Sequence, residues 1–205
     1  MSAILAKKLG MTQVFQDDGS VARVTVLEAG PCPITALRTL DRDGYEAVQL
    51  AFGHTKEKHL SRAELGHCKK ADAPPMRHLA EFRGRVGELM VGESVTVESF
   101  EVGSRVKVSG VSKGKGFQGT IKRHNFKSGP SSHGSHNVRA PGSIGASADP
   151  ARVFKGIRGP GQMGNKRATQ PGLEIVAVDP QKNLLLVRGS VPGPRGGVVE
   201  VRRDA

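Results

Sequence analysis

Two stretches of the sequence hold residues whose types and spacing could do chemistry. Gly114, Gly116 and Gly119 follow the pattern G-x-G-x-x-G, in which glycines let a strand-to-helix turn press its backbone against a pyrophosphate. That chemistry also needs a full helix after the turn and an acid about twenty residues further on for the ribose. Residues 121–134 show no helical apolar period, and the first downstream acid is Asp149, so dinucleotide binding is not expected. A phosphate loop of the nucleotide triphosphatase kind fails too, because Gly116 stands where Ser or Thr must hold magnesium. What remains is a flexible basic turn suited to a phosphate backbone. His133 and His136 are spaced as H-x-x-H, but no Cys or nearby carboxylate completes a tetrahedral metal set. Next to Arg139 they suit hydrogen bonding or stacking on a nucleic acid instead. Cys68 adjoins Lys69 on a candidate helix with nothing placed as base or oxyanion donor. No catalytic residue, metal or cofactor is expected, and the chain reads as a non-enzyme.

The distribution of charge gives these motifs their setting. The formal charge is +12 with a pI near 10.2, and a surplus of that size calls for a polyanionic partner. From Lys113 to Gln170 there are eleven Lys or Arg against one acid, Asp149, so this stretch carries +10 of the total. The eleven are Lys113, Lys115, Lys122, Arg123, Lys127, Arg139, Arg152, Lys155, Arg158, Lys166 and Arg167. The rest of the chain holds twenty basic and eighteen acidic side chains, the balanced surface of an ordinary domain. The same stretch contains eleven Gly, four Pro and no Leu. With so little to bury it cannot offset the entropy of ordering, and it should be disordered or extended when alone. Phe117, Phe126 and Phe154 alternate with Lys115, Lys127 and Lys155. Stacking on bases and anchoring the stretch to a core are both open to them, with Phe117 the nearest to a strand.

The flanks must provide the scaffold. Val21–Leu27, Tyr45–Phe52, Ser94–Phe100, Arg105–Val111, Leu173–Val178, Asn183–Val187 and Val198–Val201 are short apolar or alternating runs bounded by turn residues. One helix is predicted near Leu60–Lys70, with Ser61 and Glu64 spaced as a capping box. The body is therefore mainly β, a small closed barrel formed by residues 1–112 and 171–205 with a minor helix. Residues 113–170 form an insertion whose ends return to one scaffold as a long hairpin. At about 3.3 Å per residue, such a hairpin reaches at most roughly 95 Å. Inside a folded RNA, small residues let its backbone approach phosphates that Lys and Arg neutralise. With only Cys32 and Cys68, no secretory leader pattern and no run of 18 to 20 apolar residues, a reducing cytoplasmic setting without membrane or disulfide is expected.

Ser112-Lys113-Gly114-Lys115-Gly116-Phe117-Gln118-Gly119-Thr120-Ile121-Lys122-Arg123 closely resembles the signature of the universal third-protein family of the large ribosomal subunit, in its bacterial form. The likeness continues through His133-Gly134-Ser135, Arg139–Gly145, Val153–Gly156 and Gly161–Asn165, and includes Lys8–Thr12, Phe15 and Asn183–Val187. Lys107 and His124 depart from the pattern, standing where Asp or Asn and, in some relatives, Trp are expected. The resemblance implies a translation-factor-like β-barrel with an extended arm, and a structural, ribonucleoprotein role in translation. It further implies binding of large-subunit ribosomal RNA, early subunit assembly, neighbouring ribosomal proteins as partners, and no homo-oligomer. The eleven basic residues together with His124, His133 and His136 become the expected rRNA contacts. Gly142, Ser143, Ile144 and Gly145 become the arm tip near the peptidyl transferase centre. A free RNA chaperone and a nucleotide-dependent enzyme are the alternatives, separated by sedimentation with subunits in high salt and by direct nucleotide binding.

Overall fold

Apolar residues alternating along the flanking runs fold into strands with one buried face. The computed structural model describes residues 2–16, 18–84, 86–87 and 89–204. In chain order it forms β1 (Ala3–Phe15), β2 (Val21–Ala29), β3 (Cys32–Arg38), α1 (Leu40–Asp43), β4 (Ala47–His54), α2 (Arg62–Lys70), β5 (Met76–Arg83) and β6 (Ser94–Val95). It continues through β7 (Arg105–Val111), β8 (Phe117–Gln118), α3 (Thr120–His124), β9 (Gly161–Gln162), β10 (Arg167–Asp179), β11 (Leu184–Arg188) and β12 (Val198–Arg203). The chain divides into two units. One comprises the residues up to Ser112 with those from Arg167 onward, and the other is Lys113–Lys166.

In the first unit six strands close as β1-β12-β7-β10-β11-β2, which leaves no unpaired edge among them. Val24 and Leu27, Val106 and Val108, Ile175, Leu185 and Val187, and Val199 and Val201 fill its interior at 2 % exposure or less. Each such side chain contributes about 1.5–3 kcal/mol by leaving water. β1 closes the barrel by pairing with β12 through Ala3–Lys7 and with β2 through Ala6–Phe15. Gly110 marks a tight spot, because a Cβ there would lie 2.9 Å from Val199 Cγ1. The pairing of β10 with β7 shifts register between Gln170 and Leu173, where Pro171 has no N–H to give to a ladder.

A second sheet, β5-β4-β3-β6, and α2 complete this unit. The capping box is present: the Ser61 hydroxyl accepts from Glu64 N at 3.3 Å, and the Glu64 carboxylate accepts from Ser61 N at 2.8 Å. Cys68 on this helix and Cys32 are buried and unpaired, and burial pushes the Cys32 thiol up to about 12. The run Ser94–Phe100 is strand only at Ser94–Val95, because Val97–Ser99 make a 3-10 turn. Val97 and Phe100 are the buried pair there, and a spacing of three suits that tighter helix better than a strand.

Candidate nucleic-acid interface

The insertion starts and ends at one point of the barrel: Val111 of β7 and Arg167 of β10 are register partners. Arg167–Gln170, placed in the insertion on sequence, lie within β10 against Val111–Val108. Within Lys113–Lys166 the two chain ends are zipped together. Lys115 N donates to Met163 O at 2.8 Å, Met163 N donates to Gly116 O at 3.0 Å, and β8 pairs with β9 through Phe117–Gln162 and Gln118–Gly161. Gly164 sits at φ +70, and a Cβ on it would overlap the Lys113 carbonyl oxygen, so this closure depends on glycine.

The G-x-G-x-x-G turn leads into a real but very short helix. Gly119 precedes α3, which is five residues long and ends at Asn125 in the left-handed region at φ 59. A five-residue helix has no sustained apolar period to display, which is why residues 121–134 look non-helical in sequence. Thr120 is the buried residue of the whole Lys113–Lys166 unit. At the far end of α3, Arg123 Nη1 and His124 Nε2 both meet the Gly159 carbonyl, at 2.7 and 3.0 Å. Gly161 lies so close to this clamp that a Cβ would stand 2.9 Å from Arg123 Nη1. Further along, Gly129 N donates to Val138 O at 2.9 Å. Local backbone pairing thus orders a segment that has no core of its own.

Of the fourteen expected contact residues, Lys113, Lys115, Lys122, Lys127, His133, His136, Arg139, Arg152, Lys155, Arg158, Lys166 and Arg167 are exposed. Arg123 and His124 are half-buried and occupied by Gly159. Among the described residues, none of the nine Lys and Arg from Lys113 to Arg158 forms an ion pair with an acid. Arg167 differs: its guanidinium makes a two-pronged contact with Glu200, which Arg202 also reaches at 3.2 Å. Burial pushes Glu200 up, but hydrogen bonds and charge from Arg167 and Arg202 outweigh it and hold the carboxyl below its ordinary 4.5. Among the described residues no three His, Cys, Asp or Glu side chains gather as metal ligands, and no helix is long and apolar enough to cross a membrane.

The aromatic residues separate. Phe117 is 75 % exposed and therefore anchors nothing, despite its place beside a strand. Phe154 carries the Arg152 guanidinium over its ring at 5.1 Å. Phe126 lies 6.2 Å from the His124 ring and lines an apolar recess with Ile144, Val153, Ile157 and Pro160. The only sequence signal of these apolar residues is their scarcity in a segment otherwise small, polar and basic. Gly142–Gly145 are exposed, with the Ser143 hydroxyl donating to Gly145 O at 3.0 Å.

Comparison with known proteins gives this basic surface a family. The pattern of the family described as Ribosomal protein L3 matches residues 88–183, a span that includes the entire inserted unit. The large ribosomal subunit protein uL3 of Acidothermus cellulolyticus is 53 % identical over 207 residues, covering 100 % of this chain and 93 % of its own. The chain belongs to the uL3 family. The protein of the same name from Streptomyces coelicolor is 52 % identical, over 100 % of this chain and 97 % of its own. Membership in the uL3 family bears out the resemblance read from Ser112–Arg123 and its companions, and the closed barrel is the scaffold expected with it. The matched span also contains the G-x-G-x-x-G turn.

Proposed function

We propose that this chain is a structural, non-enzymatic constituent of the large ribosomal subunit, working in the cytoplasm, whose Lys113–Lys166 unit binds large-subunit ribosomal RNA. Membership of a family named for that subunit supports the assignment. The observation that carries the RNA reading is the row of nine Lys and Arg, Lys113 to Arg158, without an acidic partner among the described residues. Such a row repels itself in isolation and is relieved by phosphates, each contact releasing condensed counterions. Exposed glycines such as Gly142 and Gly156 let the backbone come close to RNA where a side chain would hold it off.

On this reading the unit positions RNA strands early in subunit assembly. Gly142, Ser143, Ile144 and Gly145 extend towards the peptidyl transferase centre, and neighbouring ribosomal proteins, not second copies of the chain, pack around it. Ultraviolet cross-linking of the intact chain in cells, followed by sequencing of the attached RNA, tests the assignment. Cross-links from the inserted unit should fall in large-subunit ribosomal RNA, with those of Ile144 beside the peptidyl transferase centre. Recovery mainly of messenger or small-subunit RNA would overturn it. Co-sedimentation with large subunits through high salt distinguishes a resident protein from a cycling chaperone, which would be released.

A further inference from the structure

We propose that the apolar recess in the inserted unit is a receptor for one unstacked base of the ribosomal RNA, an inference that rests on the RNA-binding reading above and sharpens it. The recess holds about 440 Å³ and is walled by Phe126, Ile144, Val153, Ile157 and Pro160, with Arg158 beside them. That volume lies at the small end of the roughly 300–1,000 Å³ typical of cavities for small organic ligands, and it leaves room for a base with its sugar. Ile144, Val153 and Ile157 are 56 %, 47 % and 49 % exposed. In a segment so poor in large apolar residues, gathering four of them around an open space instead of closing them on one another leaves apolar surface facing water.

Part of the wall is held by side chains that do not line the recess. Arg123 and His124 fasten α3 to Gly159 at 2.7 and 3.0 Å, which ties the stretch leading to Phe126 to the Ile157–Pro160 stretch, both of which line the recess. Charge then selects the occupant. The unit carries ten Lys and Arg against Asp149 alone, and Arg152 lies over the Phe154 ring next in sequence to Val153. An apolar protein side chain satisfies the walls but not the surrounding positive field. A base offers a flat face for Phe126 and the isoleucines while its own phosphates meet the exposed cations, and unstacked bases are what proteins take from folded RNA.

The test uses the full-length protein and protein-free large-subunit ribosomal RNA, measuring affinity across a salt series and the reactivity of every base to base-modifying reagents. Ile157→Asn should weaken binding about 5- to 150-fold at every salt concentration, the range for losing one stacked base. The slope of log affinity against log salt should stay as it was, and one nucleotide should become reactive. Val153→Ala, which introduces no polarity, should expose the same nucleotide with a smaller loss. A third variant, Lys127→Ala with Lys155→Ala, should flatten the salt slope by about one to two units and leave that nucleotide protected. Base reactivities unchanged by both recess variants would overturn the proposal, as would a change seen only in assembled subunits, which would assign the recess to a neighbouring protein. A salt slope unmoved by the lysine variant would take Lys127 and Lys155 off the phosphates and overturn the charge argument for a base, whereas failure of the parent protein to bind the RNA at any salt concentration would remove the RNA reading itself.

Discussion

In the barrel unit Arg167 and Arg202 converge on the Glu200 carboxylate and Arg38 bridges Asp43 and Glu81, whereas in Lys113–Lys166 nine Lys and Arg up to Arg158 form no ion pair with an acid among the described residues. The contrast extends to apolar residues. Ile4, Leu27, Ile34 and Leu185 are sealed at 0 % exposure in the first unit, while Ile144, Phe154 and Ile157 stand at about half in the second. One unit has a sealed core and paired charges of its own, and the other has cations without acids and no sealed core. On the proposed function, stability resides in the barrel and RNA affinity in the insertion, and substitutions should affect one property at a time.

The sharpest break of that division would be a barrel substitution that alters RNA recognition. Leu185→Ala is expected to lower stability by about 2–5 kcal/mol through a core cavity, seen as a fall in melting temperature. The salt slope of RNA binding, measured below the new melting point, should remain that of the parent. On the other side, replacing the exposed Lys122, Lys127 and Lys155 by Ala should flatten that slope by about two to three units. Its melting curve should not fall, since no ion pair is lost. A steep slope retained by the triple variant in filter-binding titrations would show that these cations face solvent in the complex.

Smaller effects test the internal pairing of the barrel unit. Ser61→Ala removes the α2 cap and should cost about 1 kcal/mol, with faster hydrogen exchange in Arg62–Lys70 and no change at the insertion. Glu200→Gln should destabilise modestly at neutral pH, because the exposed side of its Arg167 pair is screened. The folded carboxyl lies below its ordinary 4.5, so its contribution is complete above that value and disappears as pH falls through the lower folded value. Parent and variant stabilities should therefore converge under acid titration, and a gap that widens with acid would reverse the assignment. Deletion of Gly142–Asp149 should move the melting temperature least of all, since every residue there is exposed.

Much of this division can be read before any coordinates. Charge counting separates the insertion from the body, alternation marks β2, β4, β7, β11 and β12, and Ser61 with Glu64 announces the one capped helix. The strands β3 and β5 escape that reading. β3 opens Cys32-Pro33, where proline argues against a strand, yet Pro33 sits opposite Ser94 of the two-residue β6, near the sheet's edge. β5 has Leu79 on its exposed side and His78 and Ala80 on the other, which blurs its alternation. At the interface the exposed cations are legible as charge alone. The Arg123 and His124 clamp is not, because it depends on a backbone carbonyl 36 and 35 residues away.

By itself the sequence determined which stretch is basic and cannot form a core, which runs become strands, and to which family the signature around Phe117 points, because these follow from composition, alternation and local spacing. Only the tertiary structure decided that Arg167 is paired with Glu200 while Lys122 and Lys155 are not. It alone made Phe126, Ile144, Val153 and Ile157 four walls of one space. Pairing and enclosure are properties of distance in space, and residues brought together across as many as 33 positions of chain leave no mark of that meeting in their order.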